Sequence, residues 1–364
     1  MFEQAVRSAL ARADIAIGVD IVVRDPALYS AIVRRGISGA HEAYVDGWWD
    51  ADRLDDLACR FLRSGIAVHE AAPLAVLGRQ VAGVLRNAQL GSRGRAASRH
   101  YDLGNDLFEA MLDPRMIYSC AYWEHAETLE AAQRAKLDLV CKKLRLAPGM
   151  RVLDIGCGWG GFARYAAEQY GVRVVGITVS EEQAERAREV CKGLDVEIRI
   201  QDYRELRDGA AYDAIASIGM LEHVGYKNYR RYLAIARRVL RSDGLFLLHS
   251  IGNTKTRRTY DAWFDQNIFP NSHLPSAAQL AAACEGSFVI EDWHNFGADY
   301  DRTLMAWFER FDAAWPTLRA KYGERFYRMW KCYLLTSAGA FRARELQVWQ
   351  LVLSPRGVPG GYRR

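Results

Sequence analysis

A glycine-rich loop between a strand pattern and a helix pattern constrains the fold of this chain more than any other feature. Residues 151–155 form a short apolar strand pattern, glycines follow at 156, 158, 160 and 161, and a helix pattern continues to 170. Further strand patterns cover residues 172–178, 196–200, 212–218 and 245–250, with helical segments between them. Strands that alternate with helices pair in parallel, so the sequence predicts an α/β fold whose parallel sheet is covered on both faces.

The chain ahead of this pattern differs in composition and suggests a separate domain. The first 70 or so residues have the pattern of a small helical unit. Residues 91–98, Gly-Ser-Arg-Gly-Arg-Ala-Ala-Ser, have the small and polar composition of a flexible linker. We therefore predict a mainly helical N-terminal domain at 1–75, a linker at 76–98 and a catalytic domain at 99–364.

Charge, hydropathy and cysteine content narrow the function classes only in part. The formal net charge of +5 favours an anionic partner such as a membrane or a nucleic acid, and it fits an ordinary solvated surface equally well. No apolar run reaches the roughly 20 residues of a membrane helix, and residues 1–10 lack the apolar block of a secretory signal. The seven cysteines include no C-x-x-C pair, which argues against a zinc site and fits a reducing compartment. We expect a cytoplasmic protein without a bound metal.

Apolar and aromatic residues recur at helical spacing in the C-terminal part of the chain. One stripe contains Leu304, Trp307, Phe308, Phe311 and Trp315. Such a stripe most often faces a protein core, and we favour that interpretation. The alternative is that part of the stripe lines an acyl-chain tunnel.

The glycine loop by itself fits two kinds of cofactor. Gly156, Gly158 and Gly161 match the dinucleotide pattern G-x-G-x-x-G. Asp154, two residues ahead of the first glycine, instead fits the D-x-G-x-G-x-G loops that hold S-adenosylmethionine, where the carboxylate pairs with the methionine ammonium. The second strand is followed by no acidic residue until Glu181, which disfavours a nicotinamide dinucleotide and also departs from the usual methyltransferase. We therefore expect Thr178, Ser180 and Gln183 to make the polar contacts with the cofactor at this strand end. We expect Asp202 to recognise the adenine.

Two ionisable residues follow neighbouring strands and converge on the same sheet edge. Glu222 comes after the fourth strand pattern, and His249 ends the fifth. Ligands of open parallel sheets bind at the carboxyl ends of the strands. Glu222 and His249 are therefore candidates to face a reactive methyl group beside the glycine loop.

Several longer segments resemble, in order and over nearly the whole chain, those of the bacterial cyclopropane-fatty-acyl-phospholipid synthases. They are Tyr-Val-Asp-Gly-Trp-Trp (44–49), His-Tyr-Asp-Leu-Gly-Asn-Asp (100–106), Tyr-Ser-Cys-Ala-Tyr-Trp (118–123), Glu-His-Val-Gly (222–225), Phe-Pro-Asn (269–271), Asn-Phe-Gly-Ala-Asp-Tyr-Asp (295–301) and Ala-Gly-Ala-Phe-Arg (338–342). One position departs from the family: Ser337 stands where many members carry cysteine. We expect this difference to be tolerated, because the chemistry needs no thiol nucleophile.

The resemblance implies a fold and a set of site residues. The implied fold is a Rossmann-like class I methyltransferase with a mostly parallel seven-stranded sheet, preceded by a small lipid-handling domain. The implied bicarbonate site consists of Cys120, Glu222, His249, Ile251 through its backbone, and Tyr300. The implied S-adenosylmethionine contacts are Tyr118, Ser119, Leu153, Asp154, Gly156, Cys157, Gly158, Gly160, Gly161, Thr178, Ser180, Gln183, Gln201, Asp202 and Tyr203.

The resemblance also implies an activity and partners. The enzyme would transfer a methylene from S-adenosylmethionine to an acyl-chain double bond in membrane phospholipids, through a carbocation that bound bicarbonate deprotonates. We expect a homodimer without nucleic-acid partners, associated peripherally with the anionic inner face of the membrane through basic residues at 86–99 and 255–258. Three rival functions remain: a methyltransferase that adds a plain methyl group to an acyl chain or amine, a lipid-binding protein with an inactive cofactor loop, and the disfavoured dinucleotide oxidoreductase.

Overall fold

The computed structural model describes residues 2–66, 103–257 and 261–364, which form two compact units. The first unit takes the described residues of 1–86, 259–270 and 300–346, and the second takes those of 87–258, 271–299 and 347–364. The predicted linker at 76–98 lies outside the described residues, so the predicted boundaries stay a prediction. The units differ from the predicted domains, which are continuous in sequence. In the structure, the described residues of the stretches 259–270 and 300–346 group with the N-terminal residues.

The secondary structure alternates as expected in the middle of the chain. The helices, in chain order, are α1 Phe2–Arg12, α2 Ala27–Val45, α3 Leu54–Arg63, α4 Asn105–Met111, α5 Leu129–Lys143, α6 Gly161–Tyr170, α7 Glu181–Val190, α8 Tyr229–Val239, α9 Ala262–Asn267, α10 Ala277–Cys284, α11 Asp299–Tyr322 and α12 Glu324–Arg342. The strands are β1 Val22–Val23, β2 Trp49–Asp50, β3 Arg151–Ile155, β4 Arg173–Thr178, β5 Val196–Ile200, β6 Tyr212–Ile218, β7 Leu240–Asn253, β8 Val289–Asn295 and β9 Leu346–Ser354.

The second unit is built on a seven-stranded sheet in the order β5-β4-β3-β6-β7-β9-β8. Strands β3 to β7 pair in parallel with their neighbours, and β8 pairs antiparallel with β9. This confirms the predicted Rossmann-like, mostly parallel sheet. The predicted strands lie where expected, except that β7 extends the predicted 245–250 segment at both ends.

Alternation along the central strands explains why helices cover both faces. Val152 of β3 belongs to one buried cluster and its neighbour Leu153 to another, and Leu247 and Leu248 of β7 divide in the same way. Successive side chains of a strand point to opposite faces, so each face contributes its own core. The central strands of this architecture must therefore be continuously apolar and cannot alternate apolar with polar residues.

In the first unit, the predicted aromatic stripe faces a core. Leu304, Trp307, Phe311 and Trp315 are buried on α11, whereas Phe308 is only half-buried. The core-facing interpretation is confirmed for these four residues, and the acyl-tunnel alternative stays a prediction. None of the helices in residues 2–66, 103–257 and 261–364 combines the length and apolar character needed to cross a bilayer.

Helix α12 packs closely on α3 within the first unit, and one glycine permits this. A Cβ at Gly339 would lie 2.4 Å from the Asp55 carbonyl oxygen and 2.7 Å from Ala58 Cβ. Nearby, Arg342 forms ion pairs with Asp55 and Asp301 at 2.7 and 2.8 Å. The backbone contact leaves no room for even one methyl group.

Replacing Gly339 by alanine is expected to destabilise the protein by about 2 kcal/mol. Overpacking a close contact costs about 1–3 kcal/mol, which exceeds the gain of about 1 kcal/mol in helix propensity. Chemical denaturation followed by circular dichroism measures the change, with Ser337→Ala on the same helix as the control. Equal stability of Gly339→Ala and the wild type would show that α3 and α12 are not in the close contact described.

Candidate active site

The glycine loop connects β3 to α6 in a conformation that only glycine adopts readily. Gly156, Gly158 and Gly160 have φ values of 84°, 53° and 84°. The loop is anchored to β4, because the N–H groups of Gly156 and Cys157 donate to the Ile177 carbonyl at 2.9 and 3.0 Å. A Cβ at Gly158 would meet no atom within 4 Å. The backbone is therefore fixed on one side and approachable by a ligand on the other.

Asp154 lies at the end of β3, just ahead of this loop, and is only 2% exposed. Its Oδ2 is buried and finds no hydrogen-bond partner among the described residues. Burial raises the pKa of Asp154 to about 7, although the Lys136 cation opposes the shift. An unsatisfied buried carboxylate oxygen is costly unless a ligand pairs with it. The position thus suits the ammonium group of a bound amino acid moiety.

The residues after β4 form a local hydrogen-bonded cluster. The Thr178 hydroxyl donates to Gln183 Oε1 at 2.9 Å, and the Ser180 hydroxyl accepts from the Gln183 N–H at 3.3 Å. Ser180 thereby caps the start of α7. The three residues are brought together as predicted, and this contact fixes the Gln183 carboxamide with its NH2 group directed away from Thr178.

The loop after β5 holds Asp202, which we predicted to contact adenine. Arg204 donates to both Asp202 oxygens, at 2.9 Å to Oδ1 and 2.6 Å to Oδ2. Burial raises the pKa of Asp202, but the bonds from Arg204 lower it overall, so the group is ionised. The Gln201 N–H donates to the Thr178 carbonyl at 2.9 Å, and the Tyr203 ring packs on Tyr232. The adenine contact of Asp202 and the cofactor contacts of Gln201 and Tyr203 stay predictions.

The segment with Tyr118, Ser119 and Cys120 reaches the glycine loop through the start of α6. A Cβ at Gly161 would lie 2.3 Å from Ile117 Cδ1, so glycine is required for this approach. Helix α5 holds the segment from the other side. Gln133 Nε2 donates to the Ser119 carbonyl at 2.9 Å, and Lys136 Nζ donates to the Ser119 hydroxyl at 2.8 Å.

Sequence reasoning missed Gln133 and Lys136, although a signal for them exists. Both are fully or almost fully buried, at 0% and 1% exposure. They lie on the face of α5 that also carries the buried residues Leu129, Leu137 and Val140. Long polar residues on an apolar helix face must be hydrogen-bonded, which marks them as candidates for a specific interaction.

The carboxyl ends of β6 and β7 bring Glu222 and His249 to the edge that carries the glycine loop. A Cβ at Gly156 would lie 3.2 Å from Met220 Cβ, two residues before Glu222. Glu222 Oε1 accepts from the Ile251 N–H at 2.7 Å, and the buried Oε2 has no hydrogen-bond partner within the described ranges. Burial raises the pKa of Glu222 to about 7, against the opposing bond from Ile251. The predicted convergence of these strand ends is therefore present in the structure.

His249 is 2% exposed, and a residue that sequence reasoning missed controls its tautomer. Gln350 Nε2, on β9, lies 3.3 Å from His249 Nδ1. Burial holds the pKa of His249 well below its usual value, with Lys136 and Lys143 adding to the effect, so the ring is neutral. When the amide donates to Nδ1, the ring proton is on Nε2, which becomes a donor for an anion.

The remaining predicted anion-site residues lie in different surroundings. Cys120 is fully buried in the second unit, and its thiol donates to the Ala121 carbonyl at 3.3 Å. Tyr300 belongs to the first unit, where its ring lies 4.6 Å from that of Phe341 and 5.8 Å from that of Trp307. Their assignment to a bicarbonate site stays a prediction. Among the described residues, no group of three or more His, Cys, Asp or Glu side chains is arranged to hold a metal ion.

Sequence comparisons with known proteins show the family of this chain. The family model described as mycolic acid cyclopropane synthetase matches residues 89–351. The cyclopropane-fatty-acyl-phospholipid synthase of Escherichia coli (strain K12) is 53% identical over 365 residues, which cover 97% of this chain and 93% of that protein. Cyclopropane mycolic acid synthase 1 of Mycobacterium tuberculosis (strain H37Rv) is 34% identical over 271 residues, covering 69% of this chain and 93% of that protein.

Solved structures support the class of fold. The mycolic acid cyclopropane synthase CmaA1 complexed with SAH and CTAB aligns with a TM-score of 0.66 and 31% identity, covering 71% of this chain and 97% of that one. Coclaurine N-methyltransferase aligns with a TM-score of 0.72 at 22% identity, covering 87% and 99%, and indicates the fold alone. The predicted class I methyltransferase fold is thereby confirmed.

Proposed function

Because the chain belongs to the mycolic acid cyclopropane synthetase family, we propose that it is an S-adenosylmethionine-dependent cyclopropane-fatty-acyl-phospholipid synthase. The observation that carries the proposal is Glu222, whose buried Oε2 has no hydrogen-bond partner among the residues that the structure describes and lies at the same sheet edge as the glycine loop. A plain donor-binding site needs the loop alone. Removing a proton from carbon needs an additional buried acceptor, and Glu222 with His249 supplies such a site.

The described residues fit S-adenosylmethionine, which supplies an electrophilic methyl group when bound. Asp154 would face the methionine ammonium, because its Oδ2 lacks a partner within the described part of the second unit. Gly158 leaves the loop open to the ligand, and the Gln183 carboxamide is held in place for hydrogen bonding. The related synthase CmaA1 was solved in complex with SAH, which supports the same cofactor class.

The chain's own task is to orient an acyl-chain alkene and to protect a carbocation. An alkene is a weak nucleophile, so alignment with the methyl group must supply much of the acceleration. Water would capture the cation, and a buried site excludes it. The Tyr122 ring packs edge-on against Phe296, and Trp123 is 7% exposed, so these aromatic side chains are candidates for the wall.

Bicarbonate is the proposed acceptor of the final proton, held mainly by Glu222 and His249. His249 Nε2–H would donate to the ion, and ionised Glu222 would accept from the ion's hydroxyl group through Oε2. The Ile251 N–H is already engaged with Glu222 Oε1 at 2.7 Å, so its part in this site is to orient the carboxylate. Cys120 through its backbone and Tyr300 complete the proposed set.

Mass spectrometry of phospholipids after incubation with S-adenosylmethionine tests the proposed function. Ring formation adds one CH2 for each double bond and removes the alkene signal. An added methyl branch, or methylation of a headgroup amine with the alkene intact, would support the rival methyltransferase function. Binding of lipid without any mass change would support the rival lipid-binding function.

Gln350→Leu is expected to lower kcat by about 5-fold with little change in stability. The variant removes the donor that fixes the His249 tautomer, a hydrogen bond with a net value of about 1 kcal/mol. Gln350 Oε1 is buried without a partner among the described residues, so leucine removes one unsatisfied acceptor while it leaves His249 Nδ1 without its donor. Steady-state kinetics at saturating cofactor measures the effect. In a His249→Ala background the same change should have no further effect, and an additive loss would place Gln350 outside this pair.

Membrane association and dimerisation are part of the proposal. Lys255 and Arg257 are exposed on the second unit and would attract anionic headgroups, at about 1 kcal/mol for each basic residue near the surface. The basic residues at 86–99 and Arg258 lie outside the described residues. Co-sedimentation with vesicles of increasing anionic lipid content tests the peripheral, inner-face association, and light scattering tests the homodimer. Binding independent of lipid charge would remove the basic residues from the proposal.

A further inference from the structure

Lys136 is a buried cation that the proposed mechanism does not use. It lies on α5 and is 1% exposed, so its ammonium group is removed from water. A buried ammonium is costly unless its donors are satisfied. Its hydrogen bond among the described residues is the 2.8 Å contact from Nζ to the Ser119 hydroxyl oxygen. A ligand that interacts favourably with this charge would offset the cost of burying it.

The contact with Lys136 determines how the Ser119 hydroxyl can act. An ammonium group has three donors and no acceptor, so the Ser119 oxygen must be the acceptor in this bond. The hydroxyl proton of Ser119 is therefore free to donate elsewhere. No acceptor for it is found in the described part of the chain, and Ser119 is 8% exposed. The Ser119 hydroxyl is therefore oriented to donate a hydrogen bond to a bound ligand.

Carboxylates and a neutral histidine surround this cation. Asp113 is held by the N–H groups of Ile117 and Arg115, at 2.9 and 3.1 Å, and so fixes the same segment. Asp154, whose Oδ2 lacks a hydrogen-bond partner in the described ranges, interacts electrostatically with Lys136, as do Asp113, Cys120 and His249. One side of the site thus offers a negative charge and the other a donor backed by a positive charge. This arrangement complements a zwitterionic amino acid group.

We propose that Lys136, acting through Ser119, is a positioning residue that selects the α-carboxylate of the cofactor's methionine moiety. The Ser119 hydroxyl donates to that carboxylate while Asp154 faces the ammonium. Gln133 supports the pair by holding the Ser119 carbonyl at 2.9 Å. This inference rests on the proposed function, since it names how the same cofactor is recognised. It assigns to α5 a part in cofactor specificity.

Isothermal titration calorimetry with two ligands tests the inference without requiring turnover. S-Adenosylmethionine carries the carboxylate, and decarboxylated S-adenosylmethionine lacks it but keeps the amine, the sulfonium and the adenosine. Lys136→Met and Ser119→Ala are each expected to weaken S-adenosylmethionine by about 10- to 100-fold, as for loss of a charge-assisted hydrogen bond. Both variants should bind the decarboxylated ligand as the wild type does. The double variant should be no weaker than Ser119→Ala alone.

A matched control comes from the same helix. Lys143 is also 1% exposed, but its ammonium contacts Asp292 and His294, at 3.3 and 3.1 Å. Lys143→Met should leave the ratio of the affinities for S-adenosylmethionine and the decarboxylated ligand unchanged. This variant therefore controls for the general effect of removing a buried lysine from α5. Lys136→Gln, which keeps a donor for Ser119 but no charge, replaces Lys136→Met if the latter does not fold. It should give a smaller loss for S-adenosylmethionine.

The possible failures are distinguishable. Equal weakening of both ligands by Lys136→Met or Lys136→Gln would overturn the inference and leave the proposed function intact, since the lysine would then only support the fold. If the wild type does not bind S-adenosylmethionine, the proposed function is overturned and the inference with it. A selective loss for the ligand that carries the carboxylate supports both.

Discussion

Replacement of Glu222 by glutamine is expected to reduce turnover by about 10²- to 10⁴-fold, the usual range for loss of a group that handles a proton. Glutamine keeps the size of the side chain and can still accept from the Ile251 N–H through its carbonyl oxygen. It cannot carry the negative charge that would orient the hydroxyl group of bicarbonate. Because the proposed partner of Oε2 is the bicarbonate ion and not the cofactor, affinity for S-adenosylmethionine should be unchanged.

The measurement combines lipid mass spectrometry, for turnover, with calorimetry for cofactor affinity. Glu285→Gln is the control, because Glu285 is exposed and pairs across the surface with Arg230 at 3.4 Å. Wild-type turnover in Glu222→Gln would remove Glu222 from the chemistry. Loss of cofactor binding together with turnover would show that the residue supports the donor site instead.

The pH dependence of stability separates a catalytic from a structural effect in this variant. Burial raises the pKa of Glu222 to about 7 in the folded protein, above its value in the unfolded chain. The folded state therefore binds the proton more tightly, and its stability falls as the pH rises through about 7. Glutamine removes this titration. Glu222→Gln should thus be at least as stable as the wild type at pH 8, although it is nearly inactive.

Asp154→Asn is expected to weaken S-adenosylmethionine binding by about 100-fold. The carboxylate that we propose to pair with the methionine ammonium becomes a neutral amide, and a buried charge-assisted bond is worth about 1.5–3 kcal/mol. The same change should stabilise the ligand-free protein. Burial raises the pKa of Asp154 from 3.8 to about 7, so ionisation above that pH is a cost that asparagine avoids.

Thermal unfolding with and without cofactor measures both effects for Asp154. For the ligand-free wild type we expect stability to fall between about pH 4 and pH 7, and this part of the decline should disappear in Asp154→Asn. Added S-adenosylmethionine should raise the Tm of the wild type more than that of the variant. Asp195→Asn is the control, because Asp195 is exposed and forms a surface ion pair with Arg173. Equal cofactor stabilisation of Asp154→Asn and the wild type would contradict the assignment.

The sequence alone was sufficient to predict the parallel sheet of the second unit and the helices that connect its strands. The alternation of strands and helices fixed a parallel sheet, because strands buried on both faces must be continuously apolar and short helices must connect them. The glycine loop with Asp154 was also identifiable from the sequence. Its positive φ values and its buried carboxylate are requirements of this short segment alone. The placement of Glu222 and His249 followed from the rule that parallel strands end at one edge.

Only the tertiary structure decided which side chains act on those residues. Lys136 lies 17 positions after Ser119, and Gln350 lies 101 positions after His249, so no local pattern links either pair. The engagement of the Ile251 N–H with Glu222 also depends on how β7 lies beside β6. Likewise, Gly339 on α12 contacts α3, although most of the chain separates the two helices in sequence. Periodicity reports which face of an element is buried, whereas the partner across a contact is set by packing and topology, which arise only when the whole chain has folded.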